Sequence, residues 1–151
     1  MVLEEVVPPP TLDWLPEPLR AMRYRGSVHP GALSRPQAPE EWPAAANCQV
    51  FAYRLVDWHG RRVPWLRSSE LWEDREDTVL VTQMQALDLV LLHRTPEAWG
   101  AHVAVAIDDT HVVHLARRPG HPEVRTLASL LEDPRYRYLI GIKRPGVAAA
   151  R

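Results

Sequence analysis

Residues 102–116 read HVAVAIDDTHVVHLA, and the pairing of this stretch decides the rest. Two alternating, largely apolar runs flank Asp108-Asp109-Thr110, a strong turn sequence, so an antiparallel hairpin is predicted. If those three residues form the loop, Ile107 pairs with His111 and Ala104 pairs with His114. His102 and His114 then share a face as diagonal neighbours, roughly 7–8 Å apart at the backbone. A two-residue loop would shift the register by one and send the two imidazoles to opposite faces. The face with the histidines also carries Ala104 and Ala106. Small side chains there are expected to admit a close-packed helix.

Upstream of the hairpin, that helix is legible. Asn47 is a capping residue, Cys48 would be the first helical position, and Val50, Phe51, Leu55 and Val56 recur at helical spacing until Gly60 stops the run. A thiol at a helix start meets the positive end of the peptide dipole, which favours thiolate. Residues 88–93 (DLVLLH) read as a short buried strand and 136–143 (YRYLIGIK) as a closing one. Between the Cys48 helix and the first of these lie a loop, a short helix over 69–74 and an extended piece over 79–82. Another short helix over 127–132 is ended by Pro134. The order is a cysteine-bearing helix first, then an antiparallel run of strands: an α+β pattern.

The chain has 151 residues, 46% hydrophobic and 25% charged, with a formal net charge of −1, which fits one globular unit. Basic residues are not clustered enough to follow a phosphate backbone, so nucleic acid is not an expected partner. No apolar run approaches the roughly 18 residues of a membrane span. The first ten residues, MVLEEVVPPP, lack a basic start and a long apolar run and so do not read as an export signal. That leaves a cytoplasmic location or export by another route. Prolines punctuate residues 1–40, which read as an arm lying over the domain and anchored by Trp14, Leu15, Leu19, Met22 and Tyr24. The main unit is expected over 41–146, with a loose end at 147–151.

A single cysteine excludes an internal disulfide and a multi-cysteine zinc site. Cys48 is then an inert packer or a nucleophile. An inert core thiol is the commoner fate of a lone cysteine. The ordered histidines change the balance. A cysteine hydrolase needs a thiol, an imidazole to share its proton and a third group to orient that imidazole. Cys48, His102 and His114 fill those roles. His111 has the other parity and no carboxylate completes a ligand set, so neither a metal nor another cofactor is expected. His93 and His121 read as loop or surface residues. Asp88 reads as a turn holder, and Trp42, Trp58, Trp65 and Trp72 read mostly as core.

The sequence resembles the NlpC-type cell-wall cysteine peptidases of the papain-like superfamily. Asn47-Cys48-Gln49-Val50-Phe51 stands where that family has Asp-Cys-Ser-x-Phe. Leu87-Asp88-Leu89-Val90 stands for its Gly-Asp-Leu-Val strand, and His102-Val103-Ala104-Val105-Ala106 for its His-Val-Gly-Ile-Tyr strand. His114 falls where a polar third residue follows, and residues 138–144 are similar to the closing strand. The resemblance covers about residues 42–145. It implies a papain-like fold, a Cys-His-His triad and amide hydrolysis of a peptide such as the stem of peptidoglycan. The family's tyrosine upstream of the cysteine, near the oxyanion site, finds no clear match, and Asn47 or Trp42 would take part of its role. A non-catalytic binding module on the same scaffold, or an acyl-transfer or deamidating enzyme, remains an alternative.

Overall fold

The computed structural model describes residues 9–33 and 38–147. The expected loose end past Val147 lies outside them, as do Met1 to Pro8. Helix α1 (Glu17–Arg20) and strand β1 (Arg23–Tyr24) come first, and β1 pairs in parallel with β2 (Ala45–Ala46). Helix α2 (Cys48–Trp58) follows at once. Its start is fixed by Asn47, whose side chain accepts the Val50 N–H at 2.9 Å. Its end comes at Gly60, which has φ +80°.

A strongly bent antiparallel sheet completes the fold. In spatial order it runs β3 (Arg61–Arg62), β9 (Tyr138–Val147), β5 (Leu89–His93), β6 (His102–Ala106), β7 (His111–Leu115) and β8 (Pro122–Thr126), with β4 (Thr78–Val81) also pairing with β9. Helix α3 (Ser68–Glu73) precedes β4, and α4 (Leu127–Leu131) follows β8. Most elements read from sequence are present within a residue or two. Strand β8 and the two-residue strands β1, β2 and β3 were not expected.

The hairpin register matches the three-residue loop. Val105 pairs with Val113 and Ala106 with Val112, and the Ile107 N–H reaches the His111 carbonyl at 2.8 Å. Asp108 holds the turn by accepting the N–H groups of Thr110 and His111. His102 and His114 therefore share a face.

The side on which α2 packs differs from expectation. Val103, Val105, Ile107, Val113 and Leu115 join Val50, Phe51, Leu55 and Val56 in the larger apolar cluster, so α2 covers the branched face. Ala104 and Ala106 face the other way, into a second cluster with Leu130 and Tyr136. The small residues make room for Tyr136 and α4, while branched side chains fit the groove of a central helix. From Gln49 to Val56 every α2 residue is buried, because residues before the sheet close over its outer side. Leu15, Leu19 and Met22 belong to that same cluster. Each such buried side chain stabilises the fold by about 1.5–3 kcal/mol.

Candidate active site

Strand order delivers the histidines. From β6, His102 Nε2 lies 2.8 Å from His114 Nδ1 on β7. The pairing of β7 with β8 sets Glu123 directly opposite His114, and His114 Nε2 lies 3.1 Å from Glu123 Oε1. Three polar groups on three adjacent strands thus form one hydrogen-bonded chain. Tyr136 closes it from the side, with its ring 4.7 Å from that of His102. His114 is 2% exposed, so both of its ring nitrogens need partners, and both have them.

These partners set the protons. A carboxylate only accepts, so the bond to Glu123 places a hydrogen on His114 Nε2. In a neutral His114, Nδ1 then accepts from His102 Nε2–H, and Nδ1 is left as the acceptor of the His102 ring. Burial first, then His114 and Arg135, hold His102 well below the usual histidine value of 6.5, so its ring is neutral near pH 7. Glu123 is held below the usual carboxylate value by the hydrogen bond to His114, with Arg125 adding to the effect.

Cys48 sits at the first position of α2, partly buried. Its sulfur lies near the backbone N–H groups of Val103, Gln49 and Cys48 itself. Those dipoles favour thiolate, as the helix position led one to expect, but desolvation is the larger effect and pushes the thiol up to about 11. The resting group is a thiol. Cys48 and His102 line one cleft of about 630 Å³ without a hydrogen bond joining them. Cys48 also lines an adjoining recess of about 270 Å³, on the side of Asn47 and Trp99.

Sequence reasoning took Tyr24 only for an anchor of the arm and did not reach Glu123 as part of the site. The Tyr24 N–H bonds the Gly120 carbonyl at 2.8 Å, Tyr24 lines both recesses, and burial first, then Cys48, raises its pKa. The arm that was read as lying over the domain therefore supplies a wall of the cleft, with a tyrosine beside the thiol. Asn47 lines the smaller recess while its side chain caps α2. Trp42 stands elsewhere, against Trp58 at 6.1 Å and under Arg54, and lines neither recess. Trp99, at 77% exposed, lines the smaller recess instead.

The remaining candidates have structural partners. His111 pairs with Asp108 at 3.1 Å, and His93 bonds Thr95. Asp88 accepts the Gln85 N–H and binds Arg144 at 2.8 Å, holding a turn and tying it to β9. Among the described residues no cluster of His, Cys, Asp and Glu could hold a metal, and no helix is long and apolar enough to cross a membrane.

A helix that carries a cysteine at its start and packs on a curled antiparallel sheet defines an NlpC/P60-like α+β fold. Among solved structures, an NlpC/P60 family protein from Bacillus cereus ATCC 10987 superposes with a TM-score of 0.52 at 20% identity. The match covers 69% of this chain and 32% of that one, so this chain spans about a third of its length. At that identity the likeness is one of fold. No family model and no curated protein matches the sequence.

Proposed function

We propose that the protein is a cysteine amide hydrolase in which Cys48 is the nucleophile, His102 its base and His114 the group that orients the base. The observation that carries this reading is the bond that His102 Nε2–H donates to His114 Nδ1, which leaves His102 Nδ1 free to accept a proton beside a cleft that also exposes Cys48. The sulfur attacks an amide carbonyl as its proton passes to His102, and a C–S bond forms. The carbonyl oxygen takes the negative charge, facing the Cys48 N–H and the Tyr24 hydroxyl. His102 then protonates the leaving amine, the C–N bond breaks, and a thioester remains. Water, deprotonated by His102, releases the acid. Because the thiol rests protonated, transfer to His102 occurs with attack rather than before it. The resemblance to cell-wall peptidases makes a stem peptide of peptidoglycan the substrate to try first.

The raised thiol pKa and the lack of a Cys48–His102 hydrogen bond favour a second reading, a binding module on the same scaffold. Incubating the protein with isolated stem peptides and following new amines by mass spectrometry separates the two. Hydrolysis abolished in Cys48→Ala and reduced at least a hundredfold in His102→Ala supports the enzyme. Peptide binding without cleavage, unaffected by Cys48→Ala, supports the module.

A further inference from the structure

The chain as a whole carries a net charge of −1, yet every permanently charged side chain that lines its cleft is an arginine. Arg117, Arg118 and Arg135 line the larger half beside His102, Arg67 lines the smaller half, and no Asp or Glu lines either. Arg135 is oriented by Asp133, its guanidinium 2.7 Å from Oδ2, and Arg117 stands close enough to Tyr24 to offset part of the effect of burial on that phenol. Arg118 has no ion-pair partner among the described residues. Guanidinium groups of one sign along a concave wall focus a positive potential inside it.

Which half of a substrate meets that wall follows from the chemistry. His102 hands its proton to the leaving amine, so the amine half lies on the His102 side, where three of the four arginines stand. We propose that this half of the cleft binds a carboxylate carried by the amine portion of the substrate, held by Arg117 and Arg118. The substrate class is thus an amide whose leaving amine bears an acidic group close by, as an amino acid with a free carboxyl does. This rests on the hydrolase reading above.

Alkylation tests it at one position, since Cys48 is the chain's one cysteine. Iodoacetate and iodoacetamide both form an S–C bond as iodide leaves; one carries a carboxylate, the other a neutral amide. The expected iodoacetate-to-iodoacetamide rate ratio at Cys48 is about tenfold that of free cysteine at low salt, falling toward the free value near 1 M salt. Arg118→Glu and Arg117→Ala each lower the ratio severalfold, whereas Arg67→Ala does not. The iodoacetamide rate in each variant shows whether the cleft is intact, and the salt dependence of the unaltered protein needs no variant. A ratio equal to that of free cysteine, or one that falls with Arg67→Ala and not with Arg117→Ala or Arg118→Glu, overturns the carboxylate site alone. If neither reagent modifies Cys48 even at pH 10, the hydrolase reading fails and the carboxylate site falls with it.

Discussion

His114 bonds His102 through one ring nitrogen and Glu123 through the other. Glu123 is a positioning residue in this scheme, since it acts on His102 only through His114. Its negative charge also offsets the imidazolium that forms while His102 holds the proton. Glu123→Gln keeps an oxygen that can accept from His114 Nε2–H but removes the charge. Turnover should fall about 10- to 100-fold. The sign of the accompanying pH effect is fixed. Without the carboxylate, a protonated His102 is less favoured, its already low pKa falls further, and the acid limb of the kcat/KM profile moves to lower pH. A loss of turnover with an unmoved limb would mean that Glu123 only braces the strands. Sequence reasoning reached His102 and His114 because both lie in one regular hairpin. Glu123 was missed because Pro122-Glu123-Val124-Arg125-Thr126 contains a single large apolar residue and opens on a proline, and so shows no strand periodicity.

Elements whose local chemistry and tertiary role agree were legible. The cap at Asn47, the stop at Gly60 and the Asp108 turn each arise from neighbours in sequence. The face chosen by α2 was not, because alanines that admit a helix equally admit a tyrosine ring. Which one they meet depends on contacts across the sheet. Tyr24 was hidden for a similar reason: it lies in a proline-rich segment, and only the pairing of β1 with β2 brings it to Cys48. Leu87 shows the converse. It stands where the resembling family has glycine, and its φ of +73° is the left-handed conformation that glycine adopts freely. Gly141 on β9 is a position where the side chain itself decides. A Cβ there would enter the van der Waals envelope of the Trp72 ring, which packs on the strand from α3. Gly141→Ala must displace Trp72 and is expected to cost about 1–3 kcal/mol, seen as a lower urea midpoint at unchanged slope. An unchanged midpoint would show that α3 shifts freely on β9.

At the scale of the molecule, the buried titratable groups limit stability from both ends of the pH range. His102 has a folded pKa well below 6.5. As pH falls below 6.5 the unfolded chain takes up a proton that the folded one refuses, so stability drops toward acid. His59, lowered by burial, acts in the same direction. Cys48 behaves oppositely, raised from 9.0 to about 11. Between those values the unfolded chain has lost a proton that the folded chain keeps, and stability drops as pH rises. A plateau between about pH 6.5 and 9 follows, and the alkaline arm, set by the Cys48 rise from 9.0 to about 11, is on the order of 2–3 kcal/mol. Urea midpoints at pH 5, 7.5 and 10 measure it, with pH 5 chosen because Glu123 and Asp133 titrate below their ordinary carboxylate values. His102→Ala should start from a lower midpoint at pH 7.5, because it leaves a void beside Tyr136, yet lose less on going to pH 5. Cys48→Ala should lose less on going to pH 10. Each substitution thus flattens one arm and spares the other. If both variants kept both arms, the two groups would be solvated in the folded protein, and burial would not be what keeps the Cys48 thiol and the His102 imidazole neutral before the proposed proton transfer.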